Sequence, residues 1–168
     1  MRLTPAQGSI LFFFLAPGTV AGLMPWLISG WTFEAPFLGS DATRFVGAAL
    51  IFAALDIIVD SFARFALIGK GTPAPTNPTR SLVISGYYRH VRNPMYVAVV
   101  TAIVGQALLF ADLDVLAYAA LVWLAFHAFV VLYEEPTLRR THGAAYETYR
   151  ANVPRWIPRW SPWPGSQA

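Results

Sequence analysis

The sequence predicts an all-α, multi-pass membrane protein, with about four transmembrane helices followed by a helical tail on the cytosolic side. Three observations carry this. Hydrophobic residues make up 56% of the 168-residue chain and charged residues only 12%, with a mean hydropathy of +0.49. That balance suits lipid rather than water as the solvent. Apolar stretches recur at close to the length that crosses a bilayer core, roughly 20 residues in helical form. The segments between them alternate in the sign of their charge. A single domain over residues 1–168 is expected. The chain has no cysteine, which excludes disulfides, thiolate catalysis and zinc–cysteine sites, and no metal site or nucleic-acid partner is expected.

The first span covers about residues 9–30. Its opening, Arg2 followed by "ILFFFLAPG", has the look of a secretory signal, but the apolar character continues through "TVAGLMPWLISG" and no small-residue cleavage site is evident. A retained span is expected, kinked or broken by Pro17, Gly18 and Pro25. The second span covers about 44–68, the third, which is the shortest, 94–111, and the fourth 115–133.

Glu34 and Asp41 lie between the first two spans, and Asp112 and Asp114 between the last two. Residues 70–93 instead carry Lys70, Arg80, Arg89 and Arg92 with no acid, and the tail carries Arg139, Arg140, Arg150, Arg155 and Arg159 against Glu147. Basic segments stay cytosolic. Both termini and the 70–93 loop are therefore expected inside, and the compact architecture suggests a bacterial inner membrane. The loop opens with "GTPAPTNPT", whose prolines favour extended backbone. Beyond Pro136 the sequence suggests an amphipathic helix with Leu138, Ala145, Tyr146 and Tyr149 near one face. Trp156, Trp160 and Trp163, interleaved with arginine, suit the membrane–water interface.

Ionisable groups at membrane depth are functional suspects. Asp56, Asp60 and Arg64 repeat every fourth residue and so share one face of the second span. The plain reading is that Asp60 and Arg64 neutralise each other near the cytosolic end; the sharper one is a small transporter or proton-coupled carrier built on the three. His127 in the fourth span reads first as a hydrogen-bonded packing residue. At the end of that span stand Glu134 and Glu135, followed by Pro136, which should stop the helix. Two acids at a helix C-terminus meet its partial negative charge. A cation is therefore expected nearby, either Arg139 or a cationic ligand.

"GYYRHVRNPMYV" precedes the third span. Asn93 and Pro94 read as N-cap and first residue of a helix, the asparagine side chain accepting from a free N–H. Such a helix start favours a carboxylate or phosphate, and the aromatic faces of Tyr87, Tyr88 and Tyr96 attract a cation or a base. A zwitterionic ligand with an aromatic part would fit between this start and Glu134. Tyr87, Arg89 and His90 read as interfacial anchors.

"SLVISGYYRHVRNPMY" followed by "EEPTLRRTHGAAYETYRANVPRWIP" resembles the isoprenylcysteine carboxyl methyltransferase family, part of a wider group of membrane methyltransferases that includes phospholipid N-methyltransferases. The resemblance covers residues 80–158, in two blocks at 80–96 and 134–158. It implies a cofactor, S-adenosyl-L-methionine, and a lipophilic or membrane-embedded methyl acceptor such as a prenylcysteine-like carboxylate, a lipid amine or a small thiol. It also implies cofactor contacts at Arg80, Ser81, Leu82, Val83, Tyr88, Asn93, Pro94, Met95, Tyr96 and Glu134. Arg92 and Glu135 are neighbours of these, Arg92 being equally suited to a phosphate headgroup. Glu134 and Asn93 are the expected catalytic positions. The Asn-Pro-Met-Tyr run is closer to the phospholipid N-methyltransferase version than to the Arg-His-Pro of many prenylcysteine enzymes, and Val130 stands where those carry an arginine. For an amine or thiol acceptor, His127 or Asp60 is the place to look for a base. A structural subunit without activity is a third reading.

Overall fold

The computed structural model describes residues 14–67 and 82–165. Residues 9–13 of the expected first span, the "GTPAPTNPT" segment, Arg80 and Ser81 lie outside the described residues. Every regular element among the described residues is helical.

The first element is a π-helical stretch, Phe14–Leu23, that contains Pro17 and runs into a short helix α1, Met24–Ser29. Pro25 has no N–H, so it orphans the carbonyl it would bond in α register (Ala21) and in π register (Val20). Both carbonyls are claimed from other helices. Gln106 Nε2 donates to Ala21 O at 2.7 Å and the Tyr118 hydroxyl to Val20 O at 3.0 Å. The helix is not broken at these prolines but takes a π register, and side chains from two later helices satisfy the backbone that Pro25 frees.

Helix α2, Ala42–Leu67, agrees with the expected second span. Helix α3, Pro94–Phe110, begins at Pro94 as expected and closes at Ala111 in the left-handed region (φ 61°). Asp112 then turns the chain directly into α4, Leu113–Phe129, its carboxylate accepting from Asp114 N at 2.8 Å and Val115 N at 3.0 Å. That is an N-cap. Its first-turn position also places Asp114 at the favourable end of the helix dipole.

Pro136 does not stop the fourth span. Helix α4 widens into a π turn, Val130–Glu134, and continues as α5, Glu135–Asn152, with the proline in its first turn. A π turn tolerates the missing hydrogen bond and absorbs the proline ring. The actual break comes at Gly143, whose backbone (φ 51°, ψ −125°) is accessible essentially to glycine alone. It rotates the second half of α5, so Tyr146 and Tyr149 are buried while Ala145, expected beside them, is exposed.

Four spans are expected from the sequence; among the described residues two helices are long and apolar enough to cross a membrane, Ala42–Arg64 and Leu113–Asn152. Only 28% and 22% of their most apolar windows are buried, whereas the core helix of a water-soluble protein would be mostly covered. Helix α3 is apolar but has 17 residues, about 25 Å at 1.5 Å per residue, short of a core of roughly 30 Å. The described part of the first stretch, Phe14–Ser29, is continuous but also shorter than a bilayer core requires.

The core lies between α2, α3 and α4: Ala54, Ile58 and Phe62 meet Ala98, Val99, Ala102, Ile103 and Ala107, then Val115, Ala119 and Val122. Helices α2 and α3 approach through glycine. A Cβ on Gly47 would sit 2.5 Å from Gly105 O and 2.7 Å from Leu109 N. Small residues at such crossings let apolar helices pack closely in lipid, where no hydrophobic effect drives them together. A second cluster, Ile84, Tyr146, Tyr149 and Val153, holds the tail, with Leu82, Leu138 and Trp163 packed on it.

Candidate functional site

The segment before α3 is a tight 3-10 turn, Gly86–Arg89, entered through extended Ser85. Gly86 has φ 53°, and its bare Cα lies under the Arg64 guanidinium, where a Cβ would overlap it. The turn points consecutive tyrosines in different directions. Tyr87 reaches across to α2, its hydroxyl donating to Asp56 Oδ2 at 2.5 Å. Tyr88 is buried, and its carbonyl accepts the Tyr149 hydroxyl at 2.7 Å. Burial raises the Tyr88 phenol above its ordinary value, so it stays protonated through neutral pH.

The anchor reading of Tyr87, Arg89 and His90 is replaced by pairing. Besides Tyr87's bond to Asp56, Arg89 Nε donates to Trp163 O at 2.6 Å and Trp163 N to Arg89 O at 2.9 Å. His90 Nδ1 lies 2.8 Å from Arg159 O, Arg159 N donates to His90 O at 2.9 Å, and Arg92 N donates to Pro154 O at 2.9 Å. Residues 89–92 and 154–163 thus bind each other edge to edge. The tail tryptophans divide accordingly: Trp160 is fully exposed, whereas Trp163 packs on Tyr149 at 6.0 Å and Trp156 on His127 at 5.8 Å.

Asn93 occupies the N-cap position of α3 but makes no side-chain cap. Its Nδ2 donates instead to Arg155 O at 3.1 Å. The amide is spent on the tail, which leaves the first-turn N–H groups of α3 without a side-chain acceptor at Asn93. Pro94 is buried, and Met95 packs on the three-helix core.

Tyr96, in the first turn of α3, donates its hydroxyl to Glu134 Oε2 at 3.0 Å and packs at a tilt against Phe126, 4.7 Å between ring centres. This contact joins the two sequence blocks, 38 residues apart. Glu134 Oε1 has no partner among the described residues.

Its neighbour Glu135 has a different environment. Only 5% of its side chain is exposed, and it accepts from Arg92 Nη1 at 2.8 Å and from Arg155 Nε and Nη2 at 2.7 and 2.9 Å. The carboxylate holds the Arg155 proton more firmly than usual, mainly through this hydrogen bond. Arg92 also reaches the Tyr146 hydroxyl at 3.2 Å, while its Nε is buried without a partner among the described residues. The cation expected beside the two glutamates is therefore Arg92 with Arg155. Arg139 pairs with Glu147 instead, at 3.3 Å. In the sequence Arg155 is one of several tail arginines with nothing to single it out; the available signal was the unbalanced acid pair itself.

Leu82 packs in the tail cluster and Val83 is buried. Asp60 and Arg64 form the expected pair, at 2.7 and 2.8 Å. His127 is the expected packing residue: Trp156 Nε1 donates to its Nδ1 at 3.1 Å, and Trp123 stacks on it at 5.3 Å. No cluster of three or more metal-ligating side chains occurs among the described residues.

A family model described as phospholipid methyltransferase matches residues 42–145, more than half of the chain. The chain belongs to the phospholipid methyltransferase family. The match runs from α2 through the Tyr96–Glu134 contact into α5. No curated protein and no solved structure gives a significant match to the chain.

Proposed function

We propose that the protein is an S-adenosyl-L-methionine-dependent methyltransferase of the membrane, acting as a single domain on a lipophilic, membrane-embedded acceptor. The observation that carries this is the Tyr96–Glu134 hydrogen bond. It sets a half-buried carboxylate with one unspent oxygen against a helix start whose side-chain cap has been withdrawn.

The residues present fit such a cofactor. Glu134 Oε1 would take its ammonium or a ribose hydroxyl, with Tyr96 fixing the other oxygen. The open N–H groups of α3 favour its carboxylate. Tyr88, Met95 and Val83 supply apolar and aromatic wall. When bound, the cofactor supplies an electrophilic methyl group, so the protein's contribution is mainly positioning and exclusion of water. Glu135 acts at one remove. Saturated by two arginines, it fixes the tail against residues 89–93 and so holds the wall in place. Asn93 works the same way, through Arg155.

Neither His127 nor Asp60 is proposed as a base. The first has its Nδ1 engaged by Trp156, and both oxygens of the second are taken by Arg64. That same pair neutralises two of the three charged groups on which a carrier would depend, so the carrier reading is not favoured. The basic end, with residues 89–92 and the tail, belongs on the cytosolic side by its charge.

The test is equilibrium binding of labelled S-adenosyl-L-methionine to the full chain in detergent, followed by methyl transfer into a native lipid extract. Saturable binding is expected. Glu134→Gln should weaken it at least tenfold, as loss of a charged hydrogen bond implies, about 1.5–3 kcal/mol. Glu134→Gln binding as tightly as wild type would sink the assignment. Tight binding with no methylated product would indicate a structural subunit.

A further inference from the structure

His127 stands in the last turn of α4, half-buried, and takes no part in holding the cofactor. Ionisable groups on a membrane span are functional suspects. Trp156 Nε1 donates to its Nδ1 at 3.1 Å. An indole nitrogen only donates, so this bond requires an unprotonated Nδ1 and puts the ring's proton on Nε2. The imidazole lies between two tryptophans. Trp123, one turn earlier in α4, stacks on it with ring centres 5.3 Å apart, and Trp156 approaches from the tail at 5.8 Å. No carboxylate or cation contacts the ring among the described residues. The charged groups on the elements around it are engaged elsewhere: Arg155 on Glu135, Arg159 on the Asn152 carbonyl and Glu134 on Tyr96.

Trp156 follows Arg155, the residue that holds Asn93 and Glu135 together. The Arg155 guanidinium grips Glu135, and its carbonyl receives Asn93 Nδ2 at 3.1 Å. Other hydrogen bonds of residues 154–163 go to residues 89–92 and to α5. The bond to His127 ties the same segment to α4, one residue along from Arg155.

We propose that His127 is a positioning residue for the cofactor site, acting through Trp156, and that only its neutral form holds the tail docked. Protonation turns Nδ1 from an acceptor into a donor and points it at another donor. The imidazolium keeps a favourable place on the face of Trp123. Trp156 instead presents its N–H edge, the positive side of the indole. The charge is therefore tolerated on α4, and the tail contact is the one that gives way. Arg155 then loses its fixed place beside Asn93 and Glu135, and cofactor binding weakens with it. Binding is complete while His127 is neutral and falls as pH drops through the histidine range. The inference takes the S-adenosyl-L-methionine site from the methyltransferase reading; the contact between tail and α4 does not depend on it.

The experiment measures binding of labelled S-adenosyl-L-methionine to the full chain in detergent between about pH 5 and pH 8, where histidine side chains change charge. Wild type should bind about tenfold more weakly at the acid end, one hydrogen bond being lost and a donor left facing a donor. His127→Asn places an amide oxygen near the position of Nδ1 and does not titrate, so it should bind as neutral wild type does at every pH. His127→Phe packs on both tryptophans but accepts nothing, and should bind weakly at every pH. The second readout needs no cofactor: the Trp156 indole N–H resonance, assigned with Trp156→Phe, should move with pH in wild type and stay fixed in His127→Asn. An acid-side loss of binding that persists in His127→Asn overturns the proposal, as does an indole resonance that ignores pH in wild type. If that resonance follows His127 but no form binds S-adenosyl-L-methionine, the methyltransferase reading fails and the latch between tail and α4 stands. Cofactor binding that is equal at both ends of the pH range gives the reverse.

Discussion

Replacing Arg92 by methionine should destabilise the fold far more than replacing Arg92 and Glu135 together. Arg92 and Glu135 are 9% and 5% exposed in their side chains, with Nη1 and Oε1 2.8 Å apart. Removing one member of a buried pair strands the other, at a cost of about 3–5 kcal/mol. Arg155 still grips Glu135 through two bonds, at 2.7 and 2.9 Å, which puts Arg92→Met at the low end, about 3 kcal/mol. For a chain of this size that is a fall of about 6–12 °C in melting temperature. The double variant Arg92→Met, Glu135→Leu leaves no stranded charge, because Arg155, 31% exposed in its side chain, can turn to water. Its cost should be about 1 kcal/mol, since apolar replacement of a buried pair is often near neutral. The assay is thermal unfolding of the full chain in one detergent, followed by tryptophan fluorescence. Two results would refute the reasoning: a single variant melting with wild type, or a double variant melting below the single one. A single variant that melts normally but loses cofactor binding would make Arg92 a ligand contact rather than a clamp.

Three further expectations rest on particular contacts. Gly47→Ala should push α2 from α3, since the new Cβ would meet backbone 2.5 Å away; a loss of about 1–3 kcal/mol is expected in the same unfolding assay. Gln106→Leu should cost about 1–3 kcal/mol by stranding the Ala21 carbonyl that Pro25 frees, and hydrogen exchange should rise first in α1. Tyr88, raised above the ordinary 10 by burial, contributes stability that is complete below pH 10 and lost as pH rises toward its folded value, because the unfolded chain ionises first. Alkaline unfolding monitored by tyrosinate absorbance should therefore shift in Tyr88→Phe, and the stability difference between the two proteins should stay constant below about pH 9 and change above about pH 10.

What could be read from the chain depended on how far apart the partners lie. Asp60 and Arg64 pair because a helix puts every fourth residue on one face, so that contact was visible in "DIIVDSFAR". The start of α3 at Asn93-Pro94 was equally local. The stop expected at Pro136 was local too, yet it failed: a π turn took up the proline, and the break moved to Gly143. Apolar composition overstates the number of spans among the described residues because it counts residues, whereas crossing also needs helical length, which α3 lacks.

The sequence by itself determined a membrane-type helical protein, the segregation of its basic segments, and the two blocks whose likeness pointed to methyl transfer. Tertiary structure decided how their polar groups are used. Glu134 and Glu135 are identical and adjacent in the chain, but Arg92 and Arg155, 43 and 20 residues away from Glu135, saturate it alone. Glu134, facing Tyr96, keeps an oxygen without a partner among the described residues. Asn93 is drawn to Arg155 and Asp56 to Tyr87 for the same reason. Neighbours along a helix are set by its 3.6-residue turn, while partners across it exist only once packing has brought distant segments together.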